Sequence, residues 1–204
     1  MQKIMFNEQY GLQSATLKRD KWNTRRWLSN DKFKRFWWDE EKQLIYYANT
    51  FDNELVAPRE LQPKYKIGEE VAIAQSYKDA HIDPHSIVKM IDEGQNMFTP
   101  VPAFDSAGWT NKMFVKAELM PHHIQITGIK VERLQDISDE DCLAEGIMYD
   151  PKGAAKYGFR YGDGKSKWYR TPKDAFSSLI DKVSGRGTWD ENPWVVAYAY
   201  KLKD

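Results

Sequence analysis

Trp194 to Tyr200 is an almost unbroken apolar run, Trp-Val-Val-Ala-Tyr-Ala-Tyr, opened by Asn192-Pro193. A run of this kind and length predicts a strand buried on both faces. The remainder of the chain must therefore supply cover on two sides. With 204 residues it fits one domain with insertions or a domain and a half. Hydrophobic residues make up 41% of it and aromatics 14%, with eight Trp. Large rings compensate for a modest aliphatic content, because each buries about 150–250 Å².

Punctuation between apolar segments sets the element order. Lys3 to Phe6 predicts a short strand, and Asn7 caps a helix from about Glu8 to Lys18 with Leu12 and Ala15 or Thr16 inward. Phe36-Trp37-Trp38 and Leu44 to Tyr47 flank the charged turn Asp39 to Lys42, which predicts a hairpin, with Asp52-Asn53 as a second turn. The aromatics of this insertion, residues 28–63, either build core, line a cleft or form a protein-binding surface. Val71 and Ile73 alternate with Ala72 and Ala74 on a further strand. Asp83-Pro84 starts a helix carrying Ile87, Met90 and Ile91, ended by Gly94, and Met97 to Gly108 is a loop. Strand character returns over Met113 to Met120, then over Ile124 to Val131, where Gly128 shifts the alternation by one as at a bulge. Ser138 caps a short helix whose first turn holds Asp139, Glu140 and Asp141. Thr171-Pro172 opens a longer helix with Ala175, Phe176, Leu179, Ile180 and Val183 on its apolar face and Gly185 at its end. The fold class expected is α+β, a small β-barrel flanked by helices with an inserted aromatic hairpin, as one domain over residues 1–204.

Lys18 to Trp27 interleaves Lys18, Arg19, Lys21, Arg25 and Arg26 with Trp22 and Trp27, against one acid, Asp20. The chain as a whole carries no net charge, so the cations are a local patch rather than a coat for duplex DNA. Cations bind phosphate and flat rings stack on bases. Lys21 and Thr24 are three apart, a spacing that sets a hydroxyl beside an amine on one helical turn or tight loop. Crowding by Arg25 and Arg26 favours loss of the lysine proton. A solvated basic turn between two elements fits the same residues. Glu145 falls in the last turn of its helix, where the dipole disfavours a carboxylate, so it requires either full hydration or a cationic partner.

Other motifs carry less. Gly164-Lys165-Ser166 imitates the end of a phosphate-binding loop, but Phe159 stands where that motif requires Gly. His81 and His85 have zinc-ligand spacing with Pro84 between them, and no acid or cysteine cluster joins them, so no metal or other cofactor is expected. His122-His123 reads as an exposed turn. Residues 148–170 form a second insertion, in which Tyr157, Arg160, Tyr161, Lys165, Lys167, Trp168 and Arg170 either extend a nucleic-acid groove or lie in a solvated loop. The lone Cys142 excludes an internal disulfide and suits a reducing cytoplasm. No apolar window approaches the roughly 18 residues of a membrane span, and the first residues lack a signal-peptide core.

Several segments together resemble the ASCH family, small barrels related to the PUA-type RNA-binding fold, in the version common in bacteriophage and prophage genomes. They are Phe6-Asn7, Lys21 to Arg26, Tyr65 to Glu69, Asn111 to Phe114, Ile129 to Ser138 with Ala144 to Ile147, and Asn192 to Val195. The resemblance implies a basic cleft for RNA or a modified nucleoside. It also implies action in the host cytoplasm without a membrane, where a host protein is a further candidate partner. One bacterial branch hydrolyses N4-acetylcytidine, and other branches are ribonucleases. The amidohydrolase pattern maps onto Lys21, Thr24 and Glu145 as catalytic residues. Arg25, Arg26, Trp22, Asn111 and Lys112 are the candidate nucleic-acid- or ligand-binding residues. The family's Gly-Arg-Lys-Thr turn reads Arg19-Asp20-Lys21-Trp22 here, which loses a flexible glycine and fills space with an indole. In that chemistry Lys21 takes the Thr24 proton, Arg26 holds an oxyanion, and Glu145 protonates the leaving amine or holds Lys21. A structural ion-pair network at a helix end uses the same residues.

Overall fold

The computed structural model describes residues 1–51, 54–82, 106–151, 158–162 and 166–203. The chain is mixed α+β. Its elements are β1 (Gln2–Ile4), α1 (Leu12–Leu17), β2 (Asn23–Ser29), β3 (Lys34–Asp39), β4 (Leu44–Phe51), β5 (Glu54–Leu61) and β6 (Glu70–Ile73). They continue with β7 (His123–Arg133), α2 (Asp139–Ala144), β8 (Met148–Tyr149), β9 (Phe159–Arg160), α3 (Pro172–Ser184), α4 (Thr188–Glu191) and β10 (Trp194–Leu202). The described strands lie in several sheets, none of which closes into a barrel. The Asp52-Asn53 turn, the helix expected from Asp83, His85, residues 97–105 of the expected loop, Tyr157 and Gly164-Lys165 lie outside the described residues. No helix among the described residues is long and apolar enough to cross a membrane.

Two compact units divide the chain. The smaller comprises Met1–Phe6, Glu70–Ile124 and Lys203–Asp204. In it β1 runs parallel to β6, with Ile4 opposite Ile73. Val71, Ala72, Ile73 and Ala74 are all fully buried, so β6 is covered on both faces rather than one. The strand expected over Met113 to Met120 is instead two 3₁₀ turns, Lys112–Phe114 and Ala117–Leu119. The Asn111 side chain accepts from the Met113 amide and closes the first turn. The Met113 and Val115 carbonyls then accept from the Lys3 amine at 2.7 and 2.6 Å, which takes the place of ladder bonding.

The larger unit holds Asn7–Glu69 and Gln125–Leu202. There β10 lies between β7 and β2, and β2 pairs antiparallel with β10, with Thr24 opposite Tyr198 and Arg26 opposite Val196. The apolar run is thus the interior strand its composition predicts. A separate antiparallel sheet, in the order β3-β4-β5, forms from the insertion. Phe36 and Ile45 are buried core, while Trp37, Trp38, Tyr46 and Tyr47 are half-buried.

Capping accounts for the helices. The Ser138 hydroxyl accepts from the Asp141 amide at 3.0 Å and the Thr171 hydroxyl from the Asp174 amide at 3.0 Å. Both helices begin where these caps predict. The first helix is shorter than expected. Asn7 caps only a turn, accepting from the Tyr10 amide. Gly11, at φ 69°, then separates that turn from α1. Burial along β7 jumps from Ile126 to Ile129, the phase shift expected at Gly128, but its next buried residue is Glu132, with Val131 half-buried. Val183 is exposed at the end of α3. Residues 159–161 and 169 are structured: β8 pairs with β9, and Tyr161 and Tyr169 belong to the core with Phe176, Leu179 and Cys142. Tyr161 is therefore core and not part of a groove surface.

Candidate functional site

Two of the five cations of the basic segment, Lys21 and Arg25, turn inward. Lys21 is 2% exposed. Its ammonium donates to the Glu145 carboxylate at 2.5 Å, the Glu145 carbonyl at 2.9 Å and the Asn23 carbonyl at 2.6 Å. Glu145 is the C-cap residue of α2, so the carboxylate that the helix dipole disfavours has acquired a buried cation. Gly146, at φ +98°, stops the helix there; a Cβ on it would lie 3.6 Å from Lys21 Cβ.

Arg25 is the hub of the cluster, its side chain only 1% exposed. Its Nη1 donates to Glu145 at 3.1 Å, its Nε and Nη2 to one Glu132 oxygen at 2.9 and 2.6 Å, and its Nη2 to Asp141 at 2.8 Å. Lys130 pairs with the other Glu132 oxygen at 2.6 Å and lies 3.9 Å from Asp141. Asn23 donates to Asp141 at 3.3 Å. Lys21, Arg25 and Lys130 thus balance Glu132, Asp141 and Glu145, and the cluster reaches solvent only at its Lys130–Asp141 end. Charge balance and several charge-assisted hydrogen bonds are what permit ions to be buried here.

Burial pushes the Lys21 amine below the ordinary lysine range, against the pull of Glu145. Burial also opposes the charge on Arg25, yet Glu145, Glu132 and Asp141 together hold it above the ordinary guanidinium range. Behind the cluster, burial raises the Cys142 thiol to about 12.

The expected site residues divide accordingly. Lys21, Arg25 and Glu145 meet in the cluster. Thr24 is buried on β2, where alternation sends its side chain to the face opposite Arg25. Arg26 shares the Thr24 face and is half-buried, close enough in charge to affect Lys21, Tyr65 and Tyr198. Burial holds Tyr65 up at about 12 and raises Tyr198 and Tyr200 as well. Trp22 and Trp27 project to solvent at 50% and 64% exposure. Asn111 and Lys112 serve the backbone of the smaller unit, Lys112 donating to the Phe6 carbonyl at 2.5 Å. Glu132, Asp141 and Lys130 were not expected in the site. The available clue was Glu132 at the end of a strand whose phase had already shifted. Among the described residues no three His, Cys, Asp or Glu side chains are grouped to hold a metal ion.

No family model, no curated protein and no solved structure matches the chain.

Proposed function

We propose that the protein binds single-stranded RNA or a modified nucleotide through the exposed indoles at and just before β2, as a phage-type ASCH protein with a PUA-like relationship, acting in the host cytoplasm. The observation that carries this is the pair of exposed indoles, Trp22 and Trp27, fixed on a backbone that the ion cluster holds from within. The Trp22 amide donates to the Ala144 carbonyl at 2.9 Å, and its carbonyl accepts from the Tyr200 amide at 2.9 Å. Exposed Trp on rigid backbone is an uncommon surface feature. It suits base stacking, where each stacked base contributes about 1–3 kcal/mol. In this arrangement Lys21, Arg25 and Glu145 are the foundation of the surface, and the ring faces are the contact.

A second reading is amide hydrolysis of an acylated base. It is favoured by a lysine held below its ordinary range against a carboxylate 2.5 Å away. It requires the cluster to open, because the amine already serves three acceptors.

Fluorescence anisotropy of a labelled single-stranded RNA tests the first reading. Trp22→Ala and Trp27→Ala each weaken binding about 5- to 100-fold with the fold intact. Wild type that fails to bind RNA, or binds as well without either indole, overturns it. Acetate release from N4-acetylcytidine that disappears in Lys21→Ala establishes the second reading instead.

A further inference from the structure

The inserted sheet carries an irregularity that neither the ion cluster nor the exposed indoles use. Tyr47 on β4 pairs with Arg59 on β5, and the next pair is Asn49 with Val56. One residue, Ala48, lies between these pairs on β4, but two, Ala57 and Pro58, lie between them on β5. The extra residue makes a β-bulge, which bends its strand and re-aims the flanking side chains. Ala57 takes φ +49°, a left-handed backbone that such bulges ordinarily assign to glycine. Strain of this kind persists where neighbours enforce it, and it concentrates at ligand clamps.

The bulge opens a pocket of about 250 Å³ lined by Lys34, Tyr47, Ala48, Asn49, Ala57 and Arg59. Its polar members among the described residues are two cations, one amide and a phenol, with no carboxylate. The Lys34 ammonium lies 5.7 Å from the Tyr47 ring centroid and pairs with Asp31 outside the pocket at 3.0 Å, both side chains about one-third exposed. The Trp194 indole fixes the Lys34 carbonyl at 3.0 Å. Arg59 is exposed, and its backbone pairs with Tyr47. Concave donors of one sign call for an anion, and a guanidinium matches phosphate with two parallel hydrogen bonds. A peptide strand is a poorer fit, because β5 is a sheet edge interrupted by Pro58, which has no amide hydrogen to offer.

We propose that this bulge pocket is a phosphate subsite. Arg59 and Lys34 grip one phosphodiester of a single-stranded nucleic acid, Asn49 donates to it, and the Tyr47 ring supports the adjoining ribose or base. The choice of nucleic acid rests on the RNA-binding proposal; the phosphate site itself does not.

The test is an amide NMR titration of the full chain with inorganic pyrophosphate and, separately, with an oligouridylate of about eight nucleotides. Both ligands are expected to shift Lys34, Tyr47, Asn49, Ala57 and Arg59. Arg59→Ala is expected to abolish the pyrophosphate shifts, weaken RNA binding about 5- to 10-fold and lower the slope of log affinity against log salt by about one. Arg59→Lys recovers part of the affinity. RNA bound equally by wild type and Arg59→Ala with an unchanged salt slope overturns the subsite and leaves the indole contacts standing. Pyrophosphate shifts in the pocket without RNA binding keep the subsite and remove the RNA reading. No shift with either ligand overturns both.

Discussion

Replacing Lys21 with Met removes the ammonium while keeping a side chain of similar length. The loss can be assembled from the geometry. The Asn23 and Glu145 carbonyls each lose a charged donor at 2.6 and 2.9 Å; a buried group left short of a partner costs about 1–3 kcal/mol. The Glu145 carboxylate loses its 2.5 Å partner but keeps Arg25 at 3.1 Å, so it is not stranded. Part of the cost is offset because a lysine ammonium is no longer desolvated. The expected net destabilisation is about 3–5 kcal/mol, the usual range for breaking one side of a buried pair. Urea unfolding at neutral pH should show it as a lower midpoint with an unchanged slope. Glu145→Gln in the Lys21→Met background should cost less than it does alone, by at least about 1 kcal/mol, because the two residues share one interaction. A loss below about 1 kcal/mol for Lys21→Met, or strictly additive effects in the pair, would refute the claim that a buried charged contact joins the segment leading into β2 to the end of α2.

Stability should fall as pH rises from about 9 towards 12. The Cys142 thiol and the Tyr65 phenol, at about 12 against ordinary values of 9.0 and 10.0, stay protonated in the fold but ionise in the unfolded chain. Lys21 opposes this trend below its ordinary 10.5, because the unfolded chain there holds a proton that the folded amine gives up. Urea midpoints across this range check the sign, and Cys142→Ala should flatten the earliest part. Ala57→Gly should raise stability by about 1 kcal/mol, since glycine adopts a positive φ without the Cβ penalty. Gly146→Ala should lower it by about 1–2 kcal/mol through backbone strain alone, because the new methyl would meet its neighbours at an ordinary 3.6 Å. Thermal or urea unfolding measures both.

What could be read from residues alone was local. Ser138, Thr171 and Gly185 act within a few residues of where they stand, so α2 and α3 begin and end as their caps dictate. The hairpin and β10 follow from turn residues and an apolar run. The 3₁₀ turns after Asn111 did not follow, because they depend on a lysine more than 100 residues away taking their carbonyls. Glu145 was legible as a carboxylate in need of a cation, and Lys21 is that cation. Arg25 as the centre was not, since its three carboxylates come from β7, α2 and the end of α2, which no spacing connects. The Lys21–Thr24 pairing assumed a helical or tight turn. Thr24 and Arg25 instead lie on a strand, where neighbours part to opposite faces.

That alternation makes β2 intolerant of an odd number of inserted residues. If the strand slid by one position against β10, Thr24 would arrive where Arg25 now stands. Glu132, Asp141 and Glu145 would face a hydroxyl, and the guanidinium would be driven among Tyr198 and its neighbours. In most strands a slip is resisted by apolar side chains that exchange core for solvent. Here it is resisted by the repulsion of three carboxylates. Length changes should therefore be tolerated in the turn of the β3–β4 hairpin and rejected between α1 and β2, where a single added residue resets which face carries the charge.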